Sequence, residues 1–444
     1  MKRIKLLFAV LALSFATSGQ IYTTFYNFEH INQNLLINPA NPHPYRFVIG
    51  LPLASGISVQ LNNTIFKAGE FFNDNGVNQN IETIINNMGD KERLNLYENV
   101  DLIYAGFGTK QGYVSFGIQQ EATLNFMLPG KLMRFLYYGN ADNNKAINFT
   151  SNDFNAEALI QVNYHVGYQH WLLDSTLIVG GRFKYISGTG HAHFNRVNAN
   201  IQSDFFEWKV NTDILIETSG YQYIDNFEFN PLELFNSGNN GYGIDLGATY
   251  LLPKMKISAS VLNMGSIKWK KDLKMYQSKG EFTYNGASID EENQEVNFDN
   301  VLDSLEEKLG FKEITPYSYR SKLPMHILAS FEYQLHPKHA FALTYQGSVW
   351  SGNLYNNFGI NYIGRYARRF NLILGYSHLA GGLHNLAFGV SAAAGPVQLY
   401  LMTDNAWGAL KISQLSSTSV RIGINLAFLD IAKPKNLPNP DTNN

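Results

Sequence analysis

The sequence predicts an all-β fold: an antiparallel transmembrane β-barrel of about 14–16 strands, with a large external loop that contains a short helix. Three observations carry that prediction. The first is alternation of apolar and polar residues over stretches longer than an ordinary strand. In 158–171 (ALIQVNYHVGYQHW), Ala158, Ile160, Val162, Tyr164, Val166 and Tyr168 share one face. Gln161, Asn163, His165, Gly167 and Gln169 share the other. Soluble strands usually stop at about five or six residues, whereas a strand that crosses a bilayer needs about 9–11. The second is the spacing of short turns and long connections. The third is composition: aromatics reach 14% while charged residues are only 16%, which favours a β-rich chain with wide apolar–polar boundaries.

From the N-terminus, residues 1–19 read as a secretory signal. Lys2, Arg3 and Lys5 form the charged start, an apolar stretch runs from Leu6 to Phe15, and Ala16, Thr17, Ser18 and Gly19 form a small-residue cleavage zone. The apolar stretch is too short to span a bilayer as a helix, and no run of about 18 apolar residues follows it. Cysteine is absent, which excludes disulfides, thiolate zinc sites, a cysteine nucleophile and lipoprotein anchoring. A formal net charge of −2 without a Lys/Arg tract leaves no electrostatic footprint for nucleic acid. Export without a membrane helix leaves two destinations, secretion or the outer membrane of a Gram-negative cell.

Strand candidates lie near 56–65, 98–109, 112–122, 154–170, 173–187, 190–201, 206–219, 242–251, 255–264, 322–334, 339–350, 354–364, 370–378, 384–394, 396–403 and 417–428. Short turns fall at 110–111, 172–173, 252–254, 336–338 and 395–396; long connections fall at 67–97, 123–153, 220–241, 265–321 and 404–416. No two long connections are consecutive. Outer-membrane barrels have short periplasmic turns and longer external loops, so this order places the C-terminus in the periplasm. Two external connections, 188–190 and 351–353, read as tight. Val301, Leu302, Leu305 and Leu309 are spaced as a short amphipathic helix within the longest loop, and 126–139 also looks helical, with Pro129 suited to a first turn. The prolines of 430–444 and the lack of an apolar pattern predict a disordered periplasmic tail. The barrel proper is expected over 46–429.

Polar residues on the inward faces give a lumen lining. Gln161, Asn163, His165, Arg182 and Lys184 come from 154–187; Lys209, Asn211, Asp213 and Glu217 from 206–219. Asp245, His326, Glu332, Gln346, Asn361 and Arg421 come from later strands. Both signs of charge are present, which fits either internal salt bridges that plug the barrel or a passage. His191 and His193 share a strand face, but no third ligand is close in sequence, so they read as a wet lumen or loop pair and no metal is expected. The same holds for His378 and His384. His165 and His326 with nearby serines could form a hydrolase site, yet nothing in sequence brings three such residues together. No catalytic residue and no cofactor are assigned. The Gly-x-Gly pairs at 106–108 and 241–243 lack the strand–loop–helix context of a phosphate site.

Several segments together resemble an uncharacterised Bacteroidota outer-membrane barrel family. They are Asn38-Pro39-Ala40, Phe47 to Pro52, Ser55 to Val59, Asp245 to Tyr250, Ser258 to Gly265 with Ile267 and Trp269, Leu323-Pro324, and Gln398 to Leu401 leading to Thr403-Asp404-Asn405. The Asn-Pro-Ala segment is also similar to the N-termini of FadL-type channels and of PorP/SprF-like barrels. The FadL resemblance implies that 20–45, including Asn38, Pro39 and Ala40, folds inward as a lumen plug; Pro39, Pro42 and Pro44 argue against a strand there. The leading expectation is passage of a small hydrophobic or amphipathic ligand, with outer-membrane lipid around the wall. The alternatives are a non-transporting barrel that anchors a surface, secretion or gliding complex, and an outer-membrane hydrolase.

Overall fold

The computed structural model describes residues 21–65, 72–73, 76–77, 81–138, 146–203, 208–220, 237–284, 309–350, 352–367, 369–379, 383–406 and 417–429. The expected signal at 1–19, the tail at 430–444 and most of the helix at 301–309 lie outside them. The described chain closes into an antiparallel barrel of 14 strands. Closure is made by β1, in two pieces (Tyr45–Gly50 and Ile57–Asn63), which pairs on one side with β2 (Glu92–Gly108) and on the other with the last wall strand, Ser417–Leu429. A closed ladder leaves no edge, so every wall position finds its backbone partners within the barrel.

Between them run β3 (Gly112–Leu128), β4 (Asn155–Leu172) and β5 (Leu177–Ser203). Next come β6 (Trp208–Ser219 and Asn240–Leu251), β7 (Met255–Trp269 and Leu273–Tyr284) and β8 (Lys312–Ile314, Tyr319–Lys322 and Met325–His336). The wall ends with β9 (His339–Trp350), β10 (Asn353–Ala367), β11 (Phe370–Leu379), β12 (Leu383–Ala394), β13 (Val397–Thr403) and β14 (Ser417–Leu429). Short turns join the strands at one end, the turn end, where Tyr45 and Leu429 also pair. At the opposite, loop end stand the helices α1 of that rim (Ile81–Asn87) and α2 (Gly130–Tyr138), the latter immediately after Pro129 as its sequence spacing suggested.

Three expectations are corrected. Residues 188–190 are not a turn: β5 continues for 27 residues. Gly188 instead makes room for an indole, since a Cβ there would lie 2.6 Å from Trp269 Cη2. The long connection at 265–321 contains wall as well as loop, because β7 extends to Trp269 and resumes at Leu273, pairing with the first piece of β6. Residues 45–50, outside the strand candidates, form the first half of β1.

The alternation is resolved into two surfaces. Every wall strand exposes large apolar side chains outward, among them Phe47, Phe107, Phe116, Val166, Phe183, Leu246, Ile257, Phe331, Leu343, Ile360, Leu374, Leu386, Leu399 and Ile422. Their inward neighbours, such as Ser58, Asn99, Gln119, Asn163, Ser258, Thr344 and Asn425, are buried. Such a belt is stable only against lipid tails. Tyr168, Tyr250, Tyr333, Tyr366, Phe370 and Phe428 gather near the turn end as an aromatic girdle. Within 158–171, Val166 and Tyr168 face outward as expected, whereas Val162 is fully buried at 0% exposure.

The N-terminal segment lies inside. Its helix at Ile21–Phe25 and 3-10 turn at Asn32–Leu36 pack against the wall, and nearly every side chain from Thr23 to Ala40 is buried. At Asn38-Pro39-Ala40 the plug touches the wall backbone. A Cβ on Gly247 would lie 2.0 Å from Asn38 Oδ1, and one on Gly180 would lie 2.3 Å from the Pro39 carbonyl. Only glycine allows that approach.

Two outcomes test this architecture. Phe183→Lys, in the middle of the outward face of β5, should destabilise the barrel by about 2–4 kcal/mol in equilibrium unfolding from lipid vesicles. Gly247→Val should displace the Asn38 turn, seen as faster amide exchange at 38–41 with wall-strand exchange unchanged; unaltered exchange at 38–41 would refute the close contact.

Candidate functional site: a plugged lumen and its vestibule

The plug is held by an apolar side and a polar side. On the first, Phe25, Tyr26, Phe28, Ile31 and Ile37 form one buried cluster with Leu262, Leu328, Ala340, Ala342, Ile363, Ile373, Tyr400 and Met402 of the wall. On the second, plug backbone and amides replace the water that would otherwise solvate a polar lumen. Tyr104 donates to Asn32 Oδ1 at 2.6 Å, Arg182 Nη2 donates to the Leu36 carbonyl at 2.5 Å, and Ser260 donates to the Ile37 carbonyl at 2.8 Å. Gln33 and Asn425 exchange amide hydrogen bonds at 2.6 and 3.0 Å.

Charge is neutralised locally. Glu29 of the plug meets Lys256 and lies 3.7 Å from Arg365, while Glu332 lies 2.7 Å from Lys256 and 2.6 Å from Arg365. All four are buried, with side-chain exposures of 3–7%. Asp245 is paired with Arg182 and, at 3.0 Å, with Lys184. Arg421 sits 3.2 Å from Asp101 and 4.5 Å above the Phe25 ring. Removing one member of such a pair leaves an unpaired buried charge, at a cost of about 3–5 kcal/mol.

The residues assigned to the lumen by alternation fall into two groups. Gln161, Asn163, His165, Arg182, Lys184, Glu217, Asp245, Glu332, Gln346, Asn361 and Arg421 are buried inside, and His326 lines the open space described next. Lys209, Asn211 and Asp213 are not. They lie in the part of β6 beyond the lipid belt, where Lys209 and Asn211 are exposed and Asp213 pairs with the equally accessible Arg196 at 2.8 Å. They share the strand face of Glu217, but there β6 has risen beyond the lumen, so that face meets solvent; the register shift beside Leu215 skips Asn195 of β5 and leaves β6 regular.

Above the plug, toward the loop end, the lumen opens into a small vestibule of about 120 Å³. Tyr22, Leu96, Tyr97, Leu159, Val349, Trp350 and Tyr355 give it apolar and aromatic walls, and Gln60, Asn95, Asn125 and Gln346 place amides among them. Tyr22 is its floor, with its ring 5.1 Å from His326 and 6.2 Å from Tyr97. The same Tyr22 and Tyr97 also border a smaller, deeper chamber reaching Leu36, Arg182 and Arg421. His326 Nδ1 lies 2.9 Å from Ser348 Oγ, which also accepts from Gln346 Nε2 at 3.1 Å. Among the described residues no carboxylate or amide orients the far nitrogen of His326, so the pair lacks the third member of a hydrolytic triad.

Beside the deeper chamber, β1 breaks at 51–56. Leu53, with φ of 62°, turns outward, while Ser55 points in and is fully buried. The Ser55 carbonyl accepts from Tyr400 Oη at 2.7 Å and from Gln33 Nε2 of the plug at 3.1 Å. The wall interruption and the plug therefore share hydrogen-bond partners, a coupling invisible in the sequence because Gln33 and Ser55 carry no local pattern.

The chain is similar to three solved structures. The toluene transporter TbuX of Ralstonia pickettii is 13% identical, covering 91% of this chain and 100% of its own, with a TM-score of 0.42. A FadL homologue of Pseudomonas aeruginosa is 8% identical, covering 93% and 98%, with a TM-score of 0.44. The toluene transporter TodX of Pseudomonas putida is 10% identical, covering 93% and 97%, with a TM-score of 0.39. These likenesses concern the fold alone. No curated protein matches the chain. A family defined as one of unknown function, DUF5723, matches residues 39–404, and this chain belongs to it.

Proposed function

We propose that the barrel sits in the outer membrane, turn end to the periplasm, and passes small hydrophobic or amphipathic molecules around a movable plug. The carrying observation is the vestibule. Its aromatic and aliphatic walls with a few amides match the usual character of a small-molecule site, and its floor is a plug side chain, Tyr22, not the wall. A molecule resting on Tyr22 can advance only if the plug shifts. The plug's contact with the Ser55 carbonyl ties such a shift to the irregular stretch 51–56 of β1, where a sideways exit would require the remaining backbone bonds to β2 and β14 to open.

A second reading, a barrel that anchors a surface or secretion complex, draws on a different observation. β5, β6 and β7 continue past the lipid belt as a projection, widened by strands Ile147–Thr150 beside β5 and Lys312–Ile314 beside β7, in which Phe135 of the rim helix packs with Phe149, Ile201 and Val210. That is an ordered surface a partner protein can grip.

Uptake separates the two. Because the chain has no cysteine, Asn27→Cys with Ser330→Cys places a single thiol pair between plug and wall, at a contact of 2.7 Å in the native protein. In liposomes loaded by a hydrophobic fluorescent probe, the reduced barrel should admit the probe and the version closed by a short thiol cross-linker should not. Uptake no faster than empty liposomes in the reduced state would overturn passage and leave the anchor. Glu29→Gln weakens the plug's hold on Lys256 and Arg365 and should raise the probe rate several-fold, with faster amide exchange at 22–44.

A further inference from the structure

Where β5 leaves the lipid belt, His191 and His193 meet carboxylates from both neighbouring strands. Glu157 of β4 and Glu217 of β6 are the direct register partners of His193 on its two sides. Directly opposed side chains start from Cβ atoms about 4.5–5.5 Å apart, so register alone brings this row together. His191 stands one step nearer the bilayer on the same face. His193 Nε2 lies 2.8 Å from Glu217 Oε2, and His191 Nε2 lies 3.3 Å from Glu157 Oε1. The ligand atoms of Glu157, His191 and His193 all fall within 4.8 Å of one another.

We propose that Glu157, His191, His193 and Glu217 bind a divalent late first-row transition metal, of the class of Zn²⁺, and so tie β4, β5 and β6 together at the loop end. Two imidazoles with carboxylate oxygens are a zinc-type donor set. With metal–ligand bonds of about 2.0–2.2 Å, a tetrahedral site has edges of about 3.3–3.6 Å. The His191–Glu157 edge already has that length, the ligand atoms of Glu157, His191 and His193 lie within 4.8 Å of one another, and Glu217 joins the group through its contact with His193.

The surrounding groups are those that orient metal ligands. Tyr319 Oη lies 2.9 Å from His191 Nδ1, which leaves Nε2 as the coordinating atom. Trp350 Nε1 donates to Glu157 Oε2 at 2.6 Å, while Tyr317 Oη and Asn195 Nδ2 each donate to Glu217 Oε1 at 2.8 Å. Each carboxylate thus has one oxygen held by a donor and the other turned to an imidazole. The rings are fixed too: His191 stacks on Trp269 at 4.9 Å and His193 on Tyr319 at 5.6 Å. Glu157 and His193 keep 20% and 19% side-chain exposure, so an ion can reach them from solvent. The sequence showed only the two histidines, because their carboxylate partners are 34 and 24 residues away.

The test uses the full mature barrel in detergent, stripped with EDTA, dialysed against Zn²⁺ and assayed by elemental analysis, with Co²⁺ as a spectroscopic probe. The expected result is close to one Zn²⁺ per chain and an intense tetrahedral Co²⁺ absorption. Both should vanish in His191→Ala/His193→Ala and fall sharply in Glu157→Gln. A second rim pair, His378 and His384, has rings 4.7 Å apart but no carboxylate joins it among the described residues. His378→Ala/His384→Ala should therefore bind as the unmodified protein does. Heat-dependent gel mobility confirms that each variant is a folded barrel. Substoichiometric Zn²⁺ in the unmodified protein would overturn the proposal, as would full binding by folded Glu157→Gln and His191→Ala/His193→Ala, or equal loss from both histidine pairs.

Discussion

The structure depends on one constraint: a 14-stranded wall encloses more space than its own side chains fill, and that space is lined by polar groups. Left dry and unpaired, such groups would be costly; left open, they would make a water-filled pore. The N-terminal segment resolves this by supplying backbone carbonyls and amides as partners. Leu36 and Ile37 offer carbonyls to Arg182 and Ser260, and Asn32 and Gln33 offer amides to Tyr104 and Asn425. The buried ion cluster around Glu29 follows the same logic. Lys256 and Arg365 on the wall are balanced only because the plug adds a second carboxylate to Glu332.

Much of the wall was legible because its two surfaces face opposite media. Lipid on one side and plug on the other enforce a strict period of two, so Phe341, Leu343 and Tyr345 separate from Ala342, Thr344 and Gln346 by inspection. The reading failed where tertiary contacts overrode local pattern. Gly188 looked like a turn residue, but its missing side chain accommodates Trp269 from two strands away. Lys209, Asn211 and Asp213 keep the alternation but lie where β6 has risen beyond the lumen, so their face meets solvent. The turn-to-loop parity survived the loss of the 188–190 turn, because the extra segment of β6 runs in the same direction as the segment below it.

The plug illustrates a different limit. Its prolines excluded a strand, and the resemblance to FadL-type channels placed it inside. Neither could reveal how tightly it fits. The tightness depends on Gly180 and Gly247, each mid-strand, where an isolated glycine ordinarily weakens a β-strand. The chain accepts that weakening so that Asn38 and Pro39 can touch the wall backbone. Asn38 Oδ1 meanwhile caps its own turn through the Ala40 amide at 2.9 Å, which holds the contact surface in shape.

The distribution of contacts around the plug bears on how it could move. Its largest apolar cluster lies against β7 to β11 and β13, with smaller ones against β1, β2 and β14 and against β5 and β6. Hydrogen bonds and charge pairs reach both sides, from Ser260, Lys256, Thr344 and Arg365 as well as from Asn425 and the Ser55 carbonyl. Apolar contact tolerates sliding, since dispersion and burial are non-directional. Hydrogen bonds to the Ser55 carbonyl and to Asn425 do not, because they fail steeply with angle. A displaced plug therefore keeps part of its apolar contact while its directional polar partners on both sides are lost first. Between Gly50 and Ile57 the wall stays joined on both sides, through Leu51 and Ala54 to Ile424, Leu53 to Leu102 and Gly56 to Asp101. The Ser55 carbonyl lies in that irregular stretch and accepts from Gln33, so a plug movement bears directly on a wall segment whose own backbone bonds can hold it in place.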